Sequence, residues 1–285
     1  MIDLKDVVYC RLGTADLAEA ERFAVDILGL EVADRFKGEI QFKSDDRDYT
    51  LSYFEGDPAD QATAFHLASA AELEAAAATL EKLGHTVEHG SADACAIRKV
   101  RAFIAFNDPT GNRIELVVRP AHSGRRYHGS RDAGITGFSH VGLCSTDPAR
   151  DEIFWTTVCN ARVSDRIGDA PLMRLNTIHH TIALFPFHQA GIQHINHQVA
   201  STDDIQRSWN MLRERGVTIT FGPGRHPTSS AQFLYFSGPN GLTFEYSTGV
   251  REIHDEPGWR DRQFPFEPVG FCHWGAKPNI AAFKD

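Results

Sequence analysis

Two stretches of the chain, FHLASAAELEAAAATLEKLG (65–84) and HQVASTDDIQRSWNMLRERG (197–216), share one residue pattern that decides the fold class. Each runs from an apolar strand into a helix that ends at a glycine, a common helix terminator. Two further pairs match at nearly the same spacing: FAVDILGLEVADR (23–35) with FWTTVCNARVSDR (154–166), and DPTGNRIEL (108–116) with GPNGLTFEY (238–246). Three collinear matches indicate an internal duplication.

Each half predicts the same order of elements. A strand leads to an aspartate that can cap a helix, Asp16 in the first half and Asp147 in the second. Pro148 follows Asp147 at the first helical position, which favours that start. Short strands, a second helix and two strands joined by a Pro-x-Gly turn complete the unit. We therefore predict an α+β fold of tandem βαβββ modules in two duplicated domains.

The predicted boundaries follow from composition. Residues 1–121 form an N-terminal module, and the polar, glycine-containing segment 122–134 forms a linker. Residues 135–250 form the C-terminal, catalytic module. The tail 251–285 is rich in Pro, Trp and Phe, and we expect it to pack on that module.

The bulk composition excludes several classes of protein. The net charge of −9 is spread along 285 residues, so no nucleic-acid surface is expected. Five cysteines without a CxxC pair argue against a disulfide framework or a zinc knuckle. No signal peptide or membrane-length apolar run occurs, so we expect a cytoplasmic protein without a membrane partner. Edge strands favour a homo-oligomer of undetermined subunit number.

Three ionisable residues of the second half lie inside apolar strand segments: His140 in GFSHVGL, His197 in GIQHINHQVA and Glu245 in LTFEYS. An unpaired ionisable group is costly in such a place. Two imidazoles and one carboxylate from three strands can occupy one face of an octahedron, leaving positions for substrate and O2. We therefore predict these three as metal ligands. His194 lies three residues before His197, so we expect it to face away and to be structural.

The repeat provides an internal comparison. His140 falls on Tyr9, His197 on Phe65 and Glu245 on Glu115. If the histidines served folding, both copies would be expected to keep them. The first half therefore looks like a scaffold without the ligands.

The segment GRHPTSSAQFLYFSGPNGLTFE (224–245) closely resembles the signature of type I extradiol ring-cleavage dioxygenases, which belong to the vicinal-oxygen-chelate fold of glyoxalases and bleomycin-resistance proteins. NTIHHTIALF (176–185), GFSHVGL and INHQVAS are similar as well. One departure is Gly238, where the family usually has a small polar or acidic residue.

The resemblance implies the chemistry: cleavage of a catecholic ring beside its hydroxyls with O2, in the catabolism of aromatic compounds. His140, His197 and Glu245 match the ligands of Fe(II), with Mn(II) as an alternative. His180 matches the acid/base residue near O2, and His226 and Tyr235 match the pair that contacts the catechol oxygens. Only one of two adjacent strand residues can face the site, and we choose His180 over His179 because the family's spacing to the following apolar pair fits His180 better.

Two other functions stay open: a metal-dependent isomerase or hydrolase of the glyoxalase kind, and a metal-free protein that binds a small molecule. The ring substituent of the catechol and the choice between proximal and distal cleavage are also open, as is the role of the tail.

Overall fold

The first half of the chain forms one mixed sheet of eight strands. A computed structural model describes residues 1–283. The strands of this half are β1 (Val7–Thr14), β2 (Glu31–Phe36), β3 (Glu39–Lys43), β4 (Leu51–Glu55), β5 (Gln61–Leu67), β6 (Glu88–His89), β7 (Ala102–Asn107) and β8 (Arg113–Val118). Their order in the sheet is β2-β3-β4-β1-β5-β8-β7-β6. Its helices are α1 (Leu17–Arg22), α2 (Ala70–Lys82) and α3 (Ala92–Ile97).

The second half repeats this sheet and adds a strand from the tail. Its strands are β9 (Ile135–Ser145), β10 (Arg162–Ile167), β11 (Ala170–Arg174), β12 (Ile182–Pro186), β13 (Ile192–Val199), β14 (Ile219–Arg225), β15 (Gln232–Ser237), β16 (Thr243–Thr248) and β17 (Arg262–Phe264). The order is β14-β15-β16-β13-β9-β12-β11-β10-β17. Its helices are α4 (Pro148–Ile153), α5 (Thr202–Glu214) and α6 (Pro268–Phe271).

The duplication predicted from the repeat is confirmed. Each sheet consists of two strand–helix–strand–strand–strand units that join where β1 pairs with β5, or β9 with β13, in antiparallel register. In the first module the second unit also carries the short helix α3. The predicted class, α+β with tandem βαβββ modules, is therefore correct.

The predicted helix starts are also present. The Asp16 side chain accepts from the Glu19 backbone N–H, and the Asp147 side chain accepts from the Arg150 N–H with Pro148 opening the helix. Such caps satisfy backbone donors that the first helical turn leaves unpaired. Gly216 follows α5 with a φ of +69°, a conformation that a side chain would disfavour.

The two faces of the second sheet carry different cores. Val141, Ile195 and Phe244 belong to the larger apolar cluster, which also contains residues of the helices. Phe233 and Tyr235 belong to a separate aromatic cluster with residues of the tail. Since side chains alternate along a strand, this division fixes which face each polar residue of a strand occupies.

The two modules are joined by side-chain contacts as well as by the chain. Tyr246 on β16 donates a hydrogen bond to the Leu28 carbonyl of the first module at 2.7 Å and accepts one from Arg131 at 2.6 Å. Among residues 1–283, no helix has the length and apolar character that crossing a membrane requires.

Candidate metal centre and the side chains around it

Three buried side chains of the second module converge on one point. The Nε2 atom of His140 on β9 lies 3.1 Å from Nε2 of His194 on β13 and 3.0 Å from Oε2 of Glu245 on β16. The His194 and Glu245 atoms are 3.5 Å apart. All three side chains are almost inaccessible to solvent. They form a possible metal-ion site, with two imidazoles and one carboxylate as donors.

The spacing of these donors fits an octahedral divalent metal. Donor atoms on adjacent corners of an octahedron, each about 2.1 Å from the ion, are about 3 Å from one another. The separations of the His140, His194 and Glu245 atoms are close to this value. His194 is also held in the right tautomer, because its Nδ1–H donates to the Gln193 side-chain oxygen and leaves the Nε2 lone pair for a metal.

His197, which the sequence analysis predicts as a ligand, is not brought to this point. Along β13, His197 shares its face with Ile195 and Val199, which belong to the apolar core on the helix side. Its ring lies against Phe138 with the centroids 5.9 Å apart, and neither ring nitrogen has a hydrogen-bond partner among the described residues. His194 is on the opposite face and lies where the second imidazole donor was expected. His194 therefore replaces His197 in the candidate set of metal donors.

The repeat contains the signal that identifies His194. Phe65, the counterpart of His197, is a fully buried core residue, so this position is a core position in both modules. Ala62, the counterpart of His194, lines the same cavity as Glu115, the counterpart of Glu245, and residues of both modules bound that cavity. His194 and Glu245 therefore belong to the same face of the module, whereas the alternation Ile195–His197–Val199 places His197 with the core.

His226 and Tyr235 lie next to the three donors. The Tyr235 hydroxyl is 3.2 Å from His226 Nε2, which is itself 3.5 Å from Oε1 of Glu245. His226 Nδ1 lies 2.8 Å from the Phe271 carbonyl, to which it donates. The remaining lone pair on Nε2 therefore accepts from Tyr235. The structure thus brings both residues to the site, with the tail fixing the tautomer of His226.

His180 lies on the other side of the cluster, two residues before β12. Its ring packs against His140 with the centroids 4.2 Å apart. Its Nδ1 atom is 3.1 Å from Nδ1 of His179, which points away toward Asp165. The geometry therefore agrees with the choice of His180 over His179 as the residue that faces the donors.

Burial and hydrogen bonds set the ionisation of the site. Burial alone would raise the pKa of Glu245, but the hydrogen bond from His140 holds it well below its ordinary value. Burial lowers the pKa of His194 to about 3, so the imidazole is neutral, as a ligand must be. Burial also raises the pKa of Tyr235 well above its usual range, so its O–H remains a donor.

Curvature of the sheet makes this cluster possible. Tyr235, Glu245, His194, His140 and His180 come from β15, β16, β13, β9 and the residues before β12, which are adjacent in the sheet. Five strands about 4.8 Å apart would spread them over about 19 Å if the sheet were flat. His140 and Glu245 lie two strands apart, yet their donor atoms are only 3.0 Å apart, which indicates that the sheet curves toward them.

The aromatic cluster of the tail closes the site. Phe271 and Phe283 stack at 4.8 Å, and Phe283 also contacts Tyr235 and Phe221 at ring distances of 6.4 and 6.3 Å. These contacts place Phe271 and Phe283 of the tail against the face that carries the metal donors. The site is therefore bounded by an apolar, aromatic wall.

The equivalent place in the first module is occupied by an ion pair. Glu115 corresponds to Glu245, and its carboxylate accepts hydrogen bonds from Arg98 Nε, at 2.8 and 3.0 Å from the two oxygens, and from Nη2 at 2.7 Å. Tyr9, the counterpart of His140, donates to the same carboxylate at 2.6 Å. The Arg98 guanidinium thus neutralises the buried carboxylate, and this module has no set of metal donors at that place.

Comparisons with known proteins agree with this architecture. The family model of the Glyoxalase/Bleomycin resistance protein/Dioxygenase superfamily matches residues 6–116 and 137–246. An iron-dependent extradiol dioxygenase of Rhodococcus jostii (strain RHA1) is 25% identical over 96% of this chain and 97% of that protein.

Two solved structures superpose with a TM-score of 0.88 each. One is a halotolerant catechol dioxygenase, 22% identical, with 98% of this chain and 96% of that chain covered. The other is a Mn(II)-bound glyoxalase from Novosphingobium aromaticivorans, 24% identical, with 100% and 95% covered. One fold thus serves two reactions, so the reaction must be argued from the site. With one matched domain in each half, this chain belongs to the glyoxalase/bleomycin resistance protein/dioxygenase superfamily.

Proposed function

We propose that this protein cleaves a catechol ring with O2 by the extradiol route, at an Fe(II) ion held by His140, His194 and Glu245. The proposal rests on one observation: three metal-donor side chains meet at a buried point, and three further side chains that can carry protons surround them. A dioxygenase needs open metal positions for both O2 and the substrate, and a two-histidine, one-carboxylate face leaves them. The relative from Rhodococcus carries the same reaction class in its name.

The bound metal supplies a positive charge that lowers the pKa of a catechol hydroxyl. The surrounding residues then handle the protons. Tyr235 remains protonated, and its single O–H, which His226 Nε2 accepts when no substrate is present, would turn to donate to a substrate oxygen. His180, on the opposite side, accepts a proton from the catechol and later returns one. Burial of all these groups excludes bulk water and strengthens their hydrogen bonds.

The apolar wall favours a catechol with an apolar substituent. Phe271, Phe283 and Phe221 bound the concave face beside Tyr235. A charged substituent against these rings would lose its hydration without gaining a partner. Alkyl or aryl catechols are therefore proposed as better substrates than carboxylated ones.

The test starts from metal-free protein, loaded with Fe(II) or Mn(II) under anaerobic conditions and mixed with a panel of catechols before air is admitted. One O2 consumed per catechol, with a yellow ring-opened product, is expected with Fe(II). The matched pair His140→Phe and Tyr9→Phe changes equivalent positions of the two modules, and only His140→Phe should abolish the reaction. If no catechol leads to O2 uptake with either metal, the proposal fails, and isomerase activity of the glyoxalase kind becomes the function to measure.

We further propose that the protein is cytoplasmic and that it forms a homo-oligomer. All five cysteines are buried and unpaired, which suits the reducing cytoplasm. Homo-oligomer formation is proposed from the edge strands β6 and β14. Light scattering of the purified protein, with a molar mass above that of one chain, would support it.

A further inference from the structure

A continuous line of hydrogen bonds runs from the tail to His180, whose ring packs against the metal donor His140. Arg262 on β17 donates to Asp165 on β10 through its backbone N–H and Nε to Oδ1, at 2.9 and 3.0 Å, and through Nη2 to Oδ2 at 2.6 Å. Oδ2 is also 2.7 Å from Nε2 of His179. His179 Nδ1 is in turn 3.1 Å from Nδ1 of His180. The side chains of Asp165 and His179 are completely buried.

The protonation states of Asp165 and His179 determine which atom donates in each of these hydrogen bonds. Burial would raise the pKa of Asp165, but the bonds from His179 and Arg262 lower it, so Asp165 is a carboxylate and can only accept. His179 Nε2 therefore carries a proton. Burial lowers the pKa of His179, so its ring is neutral and its Nδ1 is a lone pair. The Nδ1 proton between the two rings must then belong to His180.

We propose that Asp165 and His179 are positioning residues that hold His180 in the tautomer with its proton on Nδ1, so that Nε2 faces the site as a proton acceptor. This inference rests on the proposed function for its catalytic consequence, but the tautomer itself can be measured without metal or substrate. The arrangement resembles in principle a carboxylate that orients a catalytic imidazole through a hydrogen bond, here transmitted by one intervening ring.

The alternative is a structural role, in which Asp165 only ties β17 to β10. The hydrogen bonds of Arg262 would be enough for that role without His179, since Arg262 makes three bonds to Asp165 and one to the Thr228 carbonyl at 2.6 Å. A tie between strands does not depend on which ring nitrogen of His180 carries the proton. The tautomer therefore separates the two roles.

The substitution Asp165→Asn should reverse the direction of the hydrogen bonds that lead through His179 to His180. Oδ1 of Asp165 faces two donors of Arg262, whereas Oδ2 faces one donor of Arg262 and His179. The asparagine is thus expected to keep its oxygen at the first position and turn its amide nitrogen toward His179. His179 Nε2 would then accept, its proton would move to Nδ1, and His180 would carry its own proton on Nε2.

The readout is long-range ¹⁵N–¹H correlation of histidine rings in the metal-free protein, with His180 assigned from its loss in His180→Gln. We expect the Nδ1–H tautomer of His180 in the wild type and the Nε2–H tautomer in Asp165→Asn. His179→Phe, which keeps a ring but removes the acceptor, should give a mixture and protects the test if Asp165→Asn does not fold. The control Asp261→Asn breaks the nearby Asp261–Arg166 pair, which does not reach His179, and should leave the tautomer unchanged.

In the Fe(II) enzyme, Asp165→Asn should lower kcat by about 10²-fold or more, while KM for the catechol changes by less than about threefold. Asp261→Asn should keep both constants. An Nε2–H tautomer of His180 in the wild type, or an unchanged tautomer in both Asp165→Asn and His179→Phe, would overturn the inference. The predicted tautomers in a protein that cleaves no catechol would instead reject the proposed function and leave the positioning role intact.

Discussion

His194→Ala and His197→Ala form a matched pair, because each removes a fully buried imidazole from the same strand, and the two side chains lie on opposite faces. The structure predicts loss of metal in His194→Ala only. Structural zinc sites of four ligands, taken as a guide, bind the metal with roughly 10–16 kcal/mol, or about 3 kcal/mol per ligand. Removing His194 should therefore weaken Kd by about two orders of magnitude, whereas His197→Ala should change it by less than about twofold.

The assay is anaerobic titration of the metal-free variants with Mn(II) and Fe(II), followed by gel filtration and measurement of retained metal. Both variants should remain folded, with the free energy of unfolding lowered by about 1–3 kcal/mol for a buried truncation. Circular dichroism and thermal unfolding check that metal loss does not report unfolding. Retention by His194→Ala together with loss by His197→Ala would refute the assignment and restore the one made from sequence.

Three further outcomes concern stability. Burial lowers the pKa of His197 to about 3, so the unfolded chain takes up a proton before the folded protein does as the pH falls. The free energy of unfolding should therefore decrease by about 1.4 kcal/mol per pH unit below about pH 6.5. The stability of His197→Leu should depend less on pH, so denaturant unfolding between pH 7 and 4 should show this variant gaining stability relative to the wild type. Arg98→Ala should destabilise the protein by about 3–5 kcal/mol because it leaves the Glu115 carboxylate buried with one partner fewer, and an added Glu115→Gln should recover part of this; equal melting temperatures for the two variants would contradict the argument. Tyr246→Phe should cost about 1 kcal/mol through the lost bond to Leu28 between the modules, and metal affinity should remain unchanged.

The fold class follows from local patterns, because the signals involved act within a few residues. Asp16 and Asp147 cap helices as predicted, and Gly216 follows the helix that the repeat indicates. The match of the two halves then specifies the tandem arrangement. None of these inferences requires knowledge of which residues meet across the sheet.

Local sequence patterns predict only part of the candidate site. His140 and Glu245 lie in the donor cluster, but the motif comparison selected His197 although the alternation of β13 places it with Ile195 and Val199. A histidine spaced three residues from another must face the opposite side of a strand, so the spacing alone does not tell which of the two faces the donors. The apolar counterpart Phe65 in the first module is the sequence signal that favours His194.

Sequence patterns in this protein determine the two modules, their helices and strands, and the reaction class that the motif indicates. The tertiary structure decides which histidine of β13 faces the donors, and it reveals the line from Arg262 through Asp165 and His179 to His180. Those partners are separated by up to 97 residues along the chain. Contacts of that range depend on how the sheet curves and where the tail returns, and no local spacing encodes either.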